Sequence, residues 1–203
     1  MQMADERETQ GSLAVKAFAW EHWAALWQIR NAQLTEGGIV LSPEDMETPP
    51  VLRNVGREDY EWDFHQIESV YLSGGGFWLA WWDDVPVGYV GAQDLGGVAE
   101  LRHMFVRAAY RRRGIGTRLV QALLAHCAAR GIQVVELWTA PDDIGRLLYA
   151  GLGFRQCDRP GPGFEDVEAA TGRSGEGEIR MRIALRAPDR PTATRESTQE
   201  LPR

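Results

Sequence analysis

The stretch Arg111–Thr117 reads Arg-Arg-Arg-Gly-Ile-Gly-Thr and lies between two segments of different periodicity. Residues 100–106 before it read as a strand, and residues 117–130 after it carry apolar side chains at helical spacing. Gly114 and Gly116 let the chain turn tightly, so that backbone N–H groups converge where the helix begins. A helix start attracts anions, and arginine adds forked donors suited to phosphate. The stretch predicts a pyrophosphate site, with a solvated arginine cluster as the alternative.

Two common nucleotide motifs do not fit this stretch. The dinucleotide pattern G-x-G-x-x-G would need a glycine at Leu119, and the P-loop would need a lysine after its second glycine. What remains is arginine followed by x-x-Gly-x-Gly between a strand and a helix. Further along, a second strand-like run over residues 133–139 leads to Leu148-Tyr149 and Gly153-Phe154. With both motifs in this order, the chain resembles the GNAT superfamily of acyl-CoA N-acyltransferases.

The resemblance implies an α/β fold of the GNAT type. Its central sheet is mixed, mostly antiparallel and flanked by helices, and its central strands splay apart to admit acyl-CoA. The residues that it implies for binding acetyl-CoA are Met104, Phe105, Val106, Arg111, Arg112, Arg113, Gly114, Ile115, Gly116, Thr117, Asp142 and Tyr149. Two positions depart from the family pattern, because Asp142 replaces an asparagine and Gly145 an alanine. A carboxylate cannot donate the hydrogen bond that an amide would give to the pantetheine arm.

The resemblance also assigns catalytic roles. Tyr149 would meet the leaving sulfur, and a backbone N–H near Val106 would stabilise the oxyanion. An alkylammonium acceptor must lose a proton before it attacks, and several relatives place a carboxylate at the position of Glu100 that acts through water. Glu100 is therefore the predicted base, with Glu136 and His103 as weaker candidates. The alternatives are a tyrosine packed in the core and a solvated or salt-bridged glutamate.

Strand alternation gives a further prediction about the segment before the phosphate loop. Successive side chains of a strand point to opposite faces of its sheet. Glu100, Arg102, Met104 and Val106 are therefore expected on one face of the strand, and His103 on the other.

Composition fits a single catalytic domain. The chain has 203 residues, 44% of them hydrophobic, and a net charge of −7 that argues against a general nucleic-acid surface. Cys127 and Cys157 indicate no disulfide framework, and no run approaches the roughly twenty apolar residues of a membrane span. We expect a cytoplasmic protein without a metal. A flexible segment over residues 1–11, an N-acetyltransferase domain over 12–186 and a disordered tail over 187–203 are predicted.

The remaining elements follow from periodicity and turn residues. Further helices are expected over residues 21–34 and 60–72, with a short one near Pro43. The further strands are expected over residues 13–18, 77–82, 87–93, 154–157 and 178–185, with a long loop over 158–177.

Three classes of function are compatible with these observations. The first is an acetyl-CoA-dependent N-acetyltransferase in which a primary amine, preferably of a small molecule, attacks directly in a ternary complex. The second is a non-catalytic acyl-CoA-binding regulatory module of the same fold, and the third is a nucleic-acid-binding protein. Tyr149 and the phosphate loop favour the first class. The acceptor stays open, and a homodimer is compatible with the frequent dimers of the superfamily.

Overall fold

A computed structural model of the chain describes residues 11–47, 49–57, 59, 61–157 and 177–185. The strands in these residues are β1 (Leu13–Ala17), β2 (Gly76–Trp82), β3 (Val85–Asp94), β4 (Val98–Val106), β5 (Val134–Thr139), β6 (Arg155–Gln156) and β7 (Ile179–Ala184). The α-helices are α1 (Trp23–Glu36), α2 (Pro43–Glu47), α3 (Trp62–His65), α4 (Ile115–Ala129) and α5 (Gly145–Gly151). The predicted N-terminal segment, the long loop and the tail lie outside the described residues, apart from Gly11 and Gly177.

The described strands form one sheet in the order β1-β2-β3-β4-β5-β7-β6. All neighbours pair antiparallel except β4 and β5, which are parallel. Their pairing covers three positions and ends at Glu100 and Glu136. Beyond that point β4 stays paired with β3 as far as Val106, and β5 stays paired with β7 as far as Thr139. The two halves of the sheet therefore splay apart, and the predicted fold class is confirmed.

Each face of the sheet carries its own hydrophobic core. On one face α4 buries Ile115, Leu119 and Leu123 against the strands. On the opposite face α1 buries Leu26 and Ile29 together with the aromatic side chains that follow it in the chain. We call these two faces of the sheet the α4 face and the α1 face. The gap between β4 and β5 is open toward both.

Most of the expected elements are present with small shifts at their ends. The hairpin between β2 and β3 turns at Asp83 and Asp84, whose φ angles of 48° and 64° match the type I′ turn that fits the twist of paired strands. The helix expected over residues 60–72 is wrong as a single element. It is divided into the one-turn α3 and a π-helical turn, Glu68–Leu72. Asp63, Phe64 and His65 of α3 are all buried.

The helices of the described residues include none with the length and apolar character needed to cross a membrane.

Candidate active site

A cavity of about 660 Å³ lies where β4 leaves β5, between the start of α4 and the start of α5. All residues predicted to contact acetyl-CoA line it except Arg113 and Asp142. Its wall also includes Ile144 and Leu147, whose side chains are mostly exposed. The cavity therefore joins the predicted phosphate loop to Tyr149, which follows it by more than thirty positions in the sequence.

The phosphate loop ends in an open helix start. Gly114 has a φ of 76°, a left-handed conformation that favours glycine, and α4 begins at the next residue. The Arg118 N–H makes an early helical bond, to the Gly114 carbonyl at 3.1 Å. The N–H groups of Ile115, Gly116 and Thr117 precede it and have no carbonyl within the helix to bind. These donors and the positive end of the helix dipole lie at the cavity wall, where they can bind an anion.

Gly116 does not have a positive φ, and the space beside it is occupied by the ends of two flexible side chains. A Cβ atom built at this position would lie 2.8 Å from Met104 Cε and 3.1 Å from Leu148 Cδ2. Met104 belongs to β4 and Leu148 to α5, so that Gly116 lets both elements approach the first turn of α4. The two glycines of the loop thus have different physical roles.

The arginine triplet divides into three different environments. Arg111 donates through Nε to the Val106 carbonyl at 2.8 Å and forms a 2.6 Å ion pair with Glu36. The Arg113 guanidinium stacks on the Trp82 ring at 5.0 Å and does not line the cavity. Arg112 has a φ of 64° and lines the cavity. Two of the three side chains therefore anchor the loop, and two of them, Arg111 and Arg112, line the cavity.

The carboxylate beside α5 that lines the cavity is Asp143 rather than the predicted Asp142, which is exposed. Asp143 Oδ1 accepts the Gly145 N–H at 2.8 Å, and its Oδ2 accepts the Thr139 hydroxyl at 3.1 Å. These bonds connect the end of β5 to the start of α5. Asp142, at the asparagine position of the motif, stays a prediction as a contact of the cofactor.

Tyr149 projects from α5 into the cavity and is only 6% exposed. Its ring packs edge-on against Phe154 at a centroid distance of 5.7 Å. Burial and the nearby charge of Asp143 raise the pKa of Tyr149 well above its usual value. The phenol therefore stays protonated at neutral pH, and it can donate a hydrogen bond to a thiolate more readily than it can give up its proton.

Glu100, the predicted base, does not line the cavity. It is 1% exposed and lies at the last position where β4 pairs with β5, on the α1 face of the sheet. Its Oε2 atom is 3.4 Å from Nη1 of Arg102. Glu136 lies opposite it on β5, fully buried and close to Arg180 and Arg182 at 3.9 and 3.8 Å. Both carboxylates are thus buried beside guanidinium groups.

The strand alternation predicted for residues 100–106 is wrong, because β4 contains a bulge. Tyr89 pairs with Phe105 and Gly91 with Arg102, so that a step of two residues on β3 faces three on β4. His103 adopts a φ of 52° within this bulge. The extra residue brings Arg102 and His103 to the same face, where both contact Asp63. Asp63 precedes His103 by forty residues, and no local motif marks the pair.

A phosphate loop at a helix start, a divided sheet and a cavity joining them define the GNAT type of acyltransferase fold. The chain belongs to the Acetyltransferase (GNAT) family, which matches it over residues 23–154.

Similar proteins agree with this membership. An uncharacterized N-acetyltransferase of Methanocaldococcus jannaschii is 33% identical over 89 residues, which are 40% of this chain and 39% of that protein. A GNAT-family acetyltransferase from Staphylococcus aureus Mu50 has a TM-score of 0.63 at 23% identity and covers 86% of this chain and 100% of its own. The PaiA N-acetyltransferase of Thermoplasma acidophilum, solved with coenzyme A, has a TM-score of 0.59 at 18% identity over 86% of this chain and 99% of its own. The chain matches well under half the length of the curated relative, and the two structures share its fold.

Proposed function

We propose that the protein transfers an acetyl group from acetyl-CoA to the primary amine of a small molecule. The observation that carries this proposal is the cavity of about 660 Å³ that joins the free N–H groups of α4 to the Tyr149 phenol. The pyrophosphate of acetyl-CoA binds at the N–H groups, and its thioester sulfur lies beside the Tyr149 phenol. The coenzyme A bound to the PaiA N-acetyltransferase supports the assignment of this cavity to the same ligand.

The chemistry divides between the two ends of the cavity. Backbone N–H groups from Arg112 to Thr117 hold the pyrophosphate, and Arg112 adds its charge. The acceptor amine attacks the thioester carbonyl in a ternary complex, with a β4 N–H near Val106 as the proposed oxyanion donor. Tyr149 donates a hydrogen bond to the departing thiolate.

Substitution of Tyr149 by phenylalanine tests the role of its phenol. A hydrogen bond to a charged group contributes about 1.5–3 kcal/mol, so that Tyr149→Phe is expected to lower kcat at least about tenfold. The KM for acetyl-CoA should change little, because the ring and its packing remain. Tyr110→Phe removes a phenol from the same cavity wall and should change kcat by less than about twofold. Equal kcat in wild type and Tyr149→Phe would remove Tyr149 from the mechanism.

The function itself is tested by thiol release from acetyl-CoA over a panel of amines. The panel includes polyamines, amino acids, aminoglycosides and a peptide with a free α-amine. The net charge of −7 favours cationic acceptors over anionic ones. Acetyl-CoA binding by calorimetry without turnover on any amine would contradict the proposal and support the non-catalytic acyl-CoA-binding module.

A further inference from the structure

A bulge in β4 places an imidazole beside the opening in the sheet. His103 lies three residues beyond Glu100, where β4 no longer pairs with β5. Its φ of 52° is left-handed, a conformation that costs a non-glycine residue free energy and that often occurs at functional sites. Met104, the next residue, lines the cavity from the α4 face. The bulge therefore sets His103 on the α1 face of the sheet, next to the cavity-lining Met104, although His103, like Glu100, is not itself part of the cavity wall.

A buried carboxylate from a different element holds the ring. Asp63 of α3 is 1% exposed, and its Oδ2 atom lies 2.6 Å from Nε2 of His103. The same oxygen accepts the Tyr71 hydroxyl at 2.7 Å and lies 3.1 Å from Nη2 of Arg102. Burial alone would raise the pKa of Asp63, but the hydrogen bond and charge of His103, together with Arg102 and Tyr71, outweigh it and hold the pKa well below its usual range. Asp63 is thus a fixed anion that orients His103.

The geometry leaves one ring nitrogen available for chemistry. Since Nε2 faces Asp63, an uncharged His103 carries its proton on Nε2 and a lone pair on Nδ1. The ring packs on Phe64 at 4.3 Å between centroids, which fixes its plane. The His103 side chain is 20% exposed, whereas that of Glu100 is 1% exposed. Among the described residues at the opening, His103 is therefore better placed than Glu100 to receive a proton from an incoming acceptor.

We infer that His103, oriented by Asp63, is the general base of the reaction. This role rests on the proposed acetyl transfer. The acceptor ammonium gives one proton to Nδ1 of His103, and the freed amine attacks the thioester carbonyl. The C–S bond breaks, and the thiolate leaves beside Tyr149. The nitrogen loses its second proton to water as the amide forms, and the thiolate takes one proton from water. Each turnover releases one net proton through His103.

The pH dependence of the rate distinguishes this base from the alternatives. An imidazole is the side chain that ordinarily exchanges a proton between about pH 5 and 8. The charged or titratable groups around the ring are Asp63 of α3, Tyr71 of the π-helical turn, Tyr89 of β3, and Arg102 and Glu100 of its own strand. Among these groups, the base is the one whose substitution removes the acidic limb of the kcat/KM profile.

The experiment measures kcat/KM against pH for the full chain as wild type, His103→Asn, Glu100→Gln and His126→Gln. Asparagine tolerates a left-handed φ, which keeps the bulge intact, and it does not titrate. His103→Asn should be at least about 100-fold slower at neutral pH and should lose the acidic limb. Its defect should shrink with acceptors of lower pKa, which need less help to lose their proton. Glu100→Gln and His126→Gln, a matched histidine on α4 that binds the Gly75 carbonyl, should keep the limb.

A second measurement does not depend on turnover. Long-range ¹H–¹⁵N spectra of the wild type should show uncharged His103 with its proton on Nε2, and Asp63→Asn should weaken that preference. An acidic limb that persists in folded His103→Asn, or is lost in Glu100→Gln, overturns this inference and leaves acetyl transfer standing. Uncharged His103 with its proton on Nδ1 also overturns it. A wild type that binds acetyl-CoA and acetylates no amine overturns the proposed function, and the role of His103 with it.

Discussion

The α4 face and the α1 face of the opening in the sheet differ in how they are built. On the α4 face, the candidate anion site consists of the backbone N–H groups of three consecutive residues, Ile115, Gly116 and Thr117, at the start of α4. On the α1 face, Asp63, Tyr71 and His103 come from three elements and meet through side chains. The first arrangement depends on local conformation, whereas the second depends on tertiary packing. The two faces of this opening are therefore encoded at very different ranges along the chain.

The largest expected effect is a loss of stability when Asp63, on the α1 face, is substituted. Asp63→Asn removes the buried anion beside Arg102 and His103, and breaking a buried ion pair costs about 3 kcal/mol. The folded-state pKa of Asp63 is lowered, so its stabilisation is present above its unfolded pKa near 4 and is lost as the pH falls through the folded value. Denaturant unfolding should therefore show a gap of about 3 kcal/mol between wild type and variant at pH 7, which narrows below about pH 4.

A matched control isolates burial as the cause. Asp59→Asn removes the same charge from an ion pair with Arg53 at 3.4 Å, where the Arg53 side chain is 58% exposed. Exposed pairs contribute about 0–1 kcal/mol, so that this variant should unfold almost as the wild type does. Equal losses for the two variants, or a gap for Asp63→Asn that does not depend on pH, would contradict the assignment of Asp63 as a buried anion.

The second expected effect is on the binding of acetyl-CoA at the start of α4. Gly116→Val adds atoms where a Cβ alone would lie 2.8 Å from Met104 Cε, so that the valine methyl groups or the displaced Met104 side chain occupy part of the cavity beside the loop. The Kd for acetyl-CoA should rise at least about tenfold, which corresponds to about 1.4 kcal/mol. Gly151→Val, at a position where a Cβ would meet open space, should bind normally. Calorimetric titration of both variants checks this, and an unchanged Kd in Gly116→Val would separate the loop from coenzyme A binding.

The sequence predicts features that depend on local conformation and misses those that depend on tertiary contacts. The fold class, and the strand and helix on either side of the loop Arg111–Thr117, were predictable, since periodicity and motif spacing reflect local backbone conformation. The bulge at His103 was not, because strand alternation assumes regular pairing and a single extra residue reverses the direction of those that follow. Asp63 was assigned to an ordinary helix, and its partners are set by tertiary contacts that lie beyond the range of any motif.

The smallest expected effects are those of single arginine substitutions in the loop on the Kd for acetyl-CoA. They distinguish binding by the backbone N–H groups from binding by the arginine charges. Lys16 is the single lysine of the chain, so that arginine serves as its general cation, and a triplet of arginines need not be a triplet of phosphate ligands. Arg113→Ala loses a surface contact with Trp82 worth about 0.5–1 kcal/mol and should change the Kd for acetyl-CoA less than about threefold. Arg112→Ala removes one of the two arginines at the cavity wall and should weaken binding more, with a smaller salt dependence. Equal effects of the two substitutions at low and high salt would show that the triplet acts only as diffuse charge.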